Sequence, residues 1–152
     1  MTSEIELRGG LEALEERLGY RFRSRDLLLE ALTHASYAHE HPPEPHNERL
    51  AWLGDAVLAL LVTEWLLTRL PGEGVGVLSS RRAELVAAPT LARWAGQLGL
   101  GSLLRLGRGE RLTGGSERES VLATAFEALL GVVYSEGGLS AARAVVERLL
   151  VW

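Results

Sequence analysis

Between Trp52 and Leu67 the chain runs sixteen residues broken only by Gly54, Asp55, Thr63 and Glu64. Asn47 stands before this stretch as a helix cap, and Pro71-Gly72-Glu73-Gly74 follows it. The pattern predicts one long helix from Asn47 to about Leu70. A helix that is apolar nearly all round has no side to offer water, so it predicts a central buried helix with the rest of the chain around it.

The remaining segments are also helical in period, and no alternating strand pattern occurs. A first helix is expected from Ile5 to Leu18, stopped by Gly19. Ser24 caps a second, whose apolar side is Leu27, Leu28, Leu29 and Leu32. His39 to His46 reads as a loop, marked by Pro42, Pro43 and Pro45. Shorter helices follow near Leu78–Val86 and Pro89–Leu98. Gly99 to Gly115 reads as a glycine-rich loop with a short apolar piece, Leu103-Leu104. A long helix is expected from about Glu117 to Tyr134. Glu136-Gly137-Gly138 then turns the chain, and Ser140 starts a last helix to the C-terminus. These elements define an all-α bundle, and 152 residues suit one domain spanning 1–152.

Composition narrows the chemistry. There is no cysteine, so disulfides, thiolate zinc sites and thiol nucleophiles are excluded. That composition suits a cytoplasmic protein. Met1-Thr2-Ser3-Glu4 has no basic stretch followed by an apolar run, so a secretory signal is not expected, and Ala56–Leu67, interrupted by Thr63 and Glu64, is expected to be too short to span a membrane. The net charge of −4 argues against a generally cationic nucleic-acid binder, although every one of the 16 positive residues is arginine, the side chain best suited to phosphate. His34, His39, His41 and His46 fall close together, but a proline loop is a poor metal scaffold. Ser79, Ser80 and Ser116 have no base at useful spacing.

Two acids stand out because they lie in apolar helical stretches. Asp55 sits between Gly54 and Ala56-Val57-Leu58, and Glu127 follows Ala125-Phe126. A carboxylate entering a buried helix needs a cation, a metal or several donors. Glu48 shares a helix face with Asp55 two turns away, about 10 Å along the axis. Position 51, which would bridge that gap, is alanine. Position 124, one turn before Glu127, is threonine. Pairing of Asp55 and Glu127 with a buried arginine, such as Arg49 or Arg82, is the alternative explanation.

The stretch Asn47-Glu48-Arg49-Leu50-Ala51-Trp52-Leu53-Gly54-Asp55 resembles the ribonuclease III signature, in which the helix reads Asn-Glu-Arg-Leu-Glu-Phe-Leu-Gly-Asp. Arg118-Glu119-Ser120-Val121-Leu122-Ala123-Thr124-Ala125-Phe126-Glu127-Ala128-Leu129-Leu130-Gly131 resembles the second signature of the same family. Leu32-Thr33-His34-Ala35-Ser36-Tyr37 before the first, and Tyr134 with Gly137-Gly138 after the second, also match. Two long motifs in the right order make the resemblance specific.

The resemblance implies a helical endonuclease domain that dimerises and cuts double-stranded RNA, with four carboxylates per subunit holding Mg2+ or Mn2+. Asp55 and Glu127 stand at two of the four positions. Ala51 and Thr124 stand at the other two, where the family has Glu and Asp. Glu48 matches a supporting acid. With half the ligands gone, metal affinity is expected to be weak, and the domain is expected to cut poorly or not at all, as a pseudoenzyme that binds RNA. Two other readings stay open: a working endonuclease using Asp55, Glu127 and Glu48, or a structural subunit of a ribonucleoprotein or mixed dimer. Trp52 stands at the family's signature aromatic, which packs into a socket on the partner subunit of a homodimer, and a core role is the alternative. Arg105, Arg108, Arg111 and Arg118 are candidates for gripping RNA phosphates; the alternative is a solvated loop partly neutralised by Glu110 and Glu117. The double-stranded-RNA-binding domain that family members often carry is not expected within these 152 residues.

Overall fold

The structure, a computed structural model, describes residues 3–150. Helix α1 (Glu4–Leu18) opens with a capping box: the Ser3 hydroxyl accepts from the Glu6 amide, and the Glu6 carboxylate accepts from the Ser3 amide. Gly19 closes it in the left-handed conformation, φ 72°, which costs glycine nothing. Helix α2 (Arg25–Ala31) is capped by the Ser24 hydroxyl. A short α3 (Ala35–Glu40) is capped by the His34 ring. His39 therefore lies in a helix, and the expected loop begins only at His41.

Helix α4 (Glu48–Arg69) has the expected bounds but a different cap. Asn47 makes no capping hydrogen bond; its buried side-chain amide donates to the Ala31 carbonyl at 3.1 Å and ties the helix start to α2. α5 (Val75–Leu85) and α6 (Ala88–Leu98) follow. The glycine-rich stretch is more ordered than expected. It contains a 3-10 turn (Leu100–Leu103), an isolated parallel bridge between Thr33 and Arg105, the short helix α7 (Arg108–Leu112) and a second 3-10 turn (Gly115–Glu117). Leu103, Leu104 and Leu106 enter the core and supply the burial that orders it. α8 (Glu119–Leu149) is interrupted only at Gly138, φ 72° and ψ −172°, so the expected turn is a one-residue break. The helix ends at Leu149, and the remainder of its expected run, residues 151–152, lies outside the described residues.

The core forms where α4 and α6 pack against α8. Leu58, Val62 and Leu66 of α4 meet a layer that includes Phe126, Leu129 and Val133 of α8. Trp94 of α6 packs on Phe126 with ring centroids 5.5 Å apart. Each fully buried Leu or Phe contributes about 1.5–3 kcal/mol relative to exposure.

One expectation for α4 needs correction. Its inner side, Ala51, Gly54, Val57, Leu58, Leu61, Val62 and Leu66, is buried. Its outer side is not: Trp52 is 82% exposed, and Leu60 and Leu67 are exposed too. The helix is not surrounded but presents an apolar face outward, continued by Val75 and Val77 of α5, a helix with no buried residue. By length and composition alone α4 is also long enough to cross a membrane, because its 22 helical residues extend well past the interrupted apolar segment. In the fold its inner side packs on α8 instead.

Candidate functional site

The site is made by the closeness of α4 and α8. A Cβ on Gly54 would lie 1.7 Å from the Glu127 carbonyl oxygen, and one on Gly131 would lie 2.4 Å from that of Leu50. Only glycine lets the two backbones meet in this way. Asp55 follows Gly54 in sequence, and Glu127 precedes Gly131 by one turn, so the crossing carries both carboxyls to the same place.

There the Asp55 and Glu127 side chains hydrogen-bond to each other. Two carboxyls do so only when one carries a proton. Burial first, then the hydrogen bond and the charge of Asp55, push Glu127 up to about 8. Glu127 therefore favours its protonated form at neutral pH. Asp55 reaches solvent, whereas Glu127 is half-buried.

The flanking positions add nothing to this pair. Ala51, 8% exposed, puts a methyl group into the core. The Thr124 hydroxyl donates to the Ser120 carbonyl at 2.8 Å, spending its proton on its own helix. Glu48, exposed at the start of α4, acts electrostatically on His34, whose pKa is lowered chiefly by burial. Among the described residues the arginine pairing left open by the sequence is not found: Arg82 donates to Thr63 Oγ1 at 3.1 Å, and Arg49 is exposed.

Among the described residues no group of three or more His, Asp or Glu side chains is placed to hold a metal ion. A magnesium ion next to phosphate calls for deprotonated oxygen donors that offset its charge. With an alanine methyl at position 51 and a Thr124 hydroxyl bonded backward, only two carboxyls are left at the crossing, which falls short of that requirement.

The candidate phosphate-binding arginines divide into two kinds. The Arg105 guanidinium donates to Thr33 Oγ1 at 2.8 Å, pairs with Glu44 at 3.4 Å and lies over the Tyr37 ring. Arg118 pairs with Glu110 and donates to the Thr113 carbonyl. Both serve their own fold. Arg108 and Arg111 stand exposed on α7. That helix is pinned to α3, because the Arg108 amide donates to Glu40 Oε2 at 2.7 Å and the Gly107 amide to Ser36 Oγ at 2.8 Å. Sequence reading missed this clamp, since nothing local links residue 40 to residue 108. It also missed Glu136, read only as a turn residue. Its carboxylate accepts from the amides of Arg23 and Ser24 and from the Tyr20 hydroxyl.

Residues 24–152 match the ribonuclease-III-like family profile. The chain is 50% identical over 137 residues to ribonuclease 3 of Caldanaerobacter subterraneus, covering 90% of this chain and 60% of that protein. It is 45% identical to ribonuclease 3 of Bacillus cytotoxicus, covering 90% of this chain and 56% of that one. It thus spans somewhat over half the length of these relatives. Among solved structures it superposes on the nuclease domain of Campylobacter jejuni ribonuclease III with a TM-score of 0.86 and 39% identity, covering 91% of this chain and 94% of that one. That domain shows structural flexibility in a region involved in dimer formation.

Proposed function

Because the chain belongs to the ribonuclease-III-like family, we propose that it recognises double-stranded RNA as a homodimer and cleaves it weakly or not at all. The observation that carries this reading is the isolation of the Asp55–Glu127 pair. Glu127 keeps its proton at neutral pH, so it is a poor acceptor for a proton from water. Ala51 and Thr124 supply no further carboxylate beside Asp55 at the crossing. Hydrolysis of a phosphodiester by this constellation lacks both an activated water and a counter-charge for the leaving oxygen.

The outward apolar face supports the dimer. Trp52, Leu60, Leu67, Val75 and Val77 are all exposed along α4 and α5. A contiguous apolar face anchored by tryptophan is the composition of an interface core. Arg108 and Arg111, exposed and held on a pinned helix, are the best-placed of the four candidate arginines for phosphate contacts.

A gel shift with duplex and single-stranded RNA of equal length, over a salt series with magnesium present, tests this reading. Salt-sensitive preference for the duplex, with the RNA left intact, is the expected result. Cutting that disappears with Asp55→Ala would instead identify a working nuclease. Equal retention of duplex and single strands would remove duplex RNA as the partner.

A further inference from the structure

His34 stands half-buried where α3 begins, and two contacts of its ring nitrogen Nδ1 fix its protonation. The Ser36 amide donates to Nδ1 at 3.1 Å, so Nδ1 carries a lone pair and the ring is neutral. The Ser36 hydroxyl lies 2.7 Å from the same nitrogen and donates to it as well. Its oxygen is then free to accept, and it accepts from the Gly107 amide at 2.8 Å. A relay thus runs from the imidazole through Ser36 to the residue that starts α7. The fit there is close, since a Cβ on Gly107 would lie 2.7 Å from the Ser36 carbonyl oxygen. The Arg108 amide, held by Glu40 Oε2 at 2.7 Å, is a second tie between α3 and α7.

We propose that His34 is a positioning residue: its neutral ring, through the Ser36 hydroxyl, holds α7 with the exposed Arg108 and Arg111 against α3, and a proton on Nδ1 releases that hold. The consequence for RNA rests on the reading of the chain as a duplex-RNA binder; the latch itself does not. A protonated Nδ1 turns an N–H toward the Ser36 amide, so the cap of α3 is lost. It also donates to the hydroxyl, whose own proton must then find another acceptor. The start of α7 is left on the Glu40 carboxylate. With α3 and α7 apart, the hydrated ring takes its proton at the ordinary value of 6.5, whereas burial holds the closed form below it. Opening is therefore favoured as pH falls below 6.5. Charged groups face the ring from the neighbouring elements. Glu48 of α4 favours the proton, while Arg118 at the head of α8 and His46 of the α3–α4 loop oppose it. Arg105, whose carbonyl accepts from the His34 amide, directs its guanidinium to Glu44.

Amide hydrogen exchange in the full chain, followed by NMR at pH 7.5 and pH 5.5, tests the latch without RNA. Protection of the Gly107 amide in the unaltered chain is expected to fall about fivefold to tenfold in acid, the scale of a lost helix cap. His34→Asn puts an amide oxygen near the place of Nδ1 and cannot titrate, so its Gly107 protection should stay within about twofold. An equal fall in both proteins overturns the proposal. Ser36→Ala breaks the relay and leaves the ring in place, so Gly107 should be weakly protected at both pH values. Protection as high as in the unaltered chain overturns the proposal, even if His34→Asn fails to fold. Fluorescence anisotropy with a labelled duplex at fixed ionic strength reads the consequence for the arginines. Between the two pH values the unaltered chain should lose about threefold or more in affinity relative to His34→Asn, because the other histidines titrate in both. Parallel affinities overturn the positioning of Arg108 and Arg111 by the latch. Absence of duplex binding in either protein removes the underlying reading, and the exchange measurement still decides the latch.

Discussion

Replacing Glu127 by glutamine should make the protein more stable in alkaline solution, by an amount that the acid pair itself sets. Unfolded, Glu127 ionises near its ordinary value of 4.5; folded, it keeps its proton to about 8. Between those values the folded chain holds a proton that the unfolded chain has released, so stability falls as pH rises. The loss is complete above about 8. At ~1.4 kcal/mol per pH unit, a fully sealed site would lose ~5 kcal/mol across this window. Asp55 reaches water, and screening there reduces the figure to on the order of 2–3 kcal/mol. Glutamine resembles the protonated acid in size and charge and cannot ionise, so Glu127→Gln should lack this fall. Urea unfolding at pH 5 and pH 9, with chelator present and protein concentration fixed, measures the difference. At m-values of about 1–3 kcal/mol per molar, the midpoint of the unaltered chain should drop by about 1–2 M more than that of the variant. Other titrating groups largely cancel in the comparison. Identical pH dependence in the two proteins would refute a proton retained by Glu127.

Three further outcomes follow from the same contacts. Gly54→Ala puts a methyl group 1.7 Å from the Glu127 carbonyl oxygen and forces α4 and α8 apart, costing about 3 kcal/mol or more in denaturant unfolding; a near-neutral effect would mean that the crossing is looser than described. Glu136→Ala strands the Arg23 and Ser24 amides and should cost about 2–4 kcal/mol, against about 1 kcal/mol for Tyr20→Phe, both read by thermal melting. Trp52→Ala should give a monomer in sedimentation at concentrations where the unaltered chain is a dimer, and an unchanged dimer would assign the interface elsewhere.

Elements with a strong local signal were legible before any coordinates. Ser24 and Gly19 bound their helices through their own side chain or backbone, and α4 ends where Pro71 requires. The two acids were legible for the same reason, since each is a charge inside an apolar helix. What stayed hidden depends on residues distant in the chain. The order of residues 99–115 comes from the leucines it buries and from the α3 clamp through Ser36 and Glu40, not from its own glycines. The meeting of Asp55 with Glu127, rather than with an arginine, depends on Gly54 and Gly131 letting two backbones touch. A glycine in a helix signals only weakly which neighbour approaches it. The exposed side of α4 misled in the opposite direction, because residues that cover a partner surface have the same apolar pattern as residues that fill a core.

The most direct test of the account is cleavage of a long labelled RNA duplex in magnesium by the unaltered chain beside its Ala51→Glu/Thr124→Asp variant. The account predicts an unaltered chain that leaves the duplex intact, or nearly so, and a variant that cuts it. Rapid cutting by the unaltered chain, lost with Asp55→Ala, would contradict it and show that the Asp55–Glu127 pair suffices.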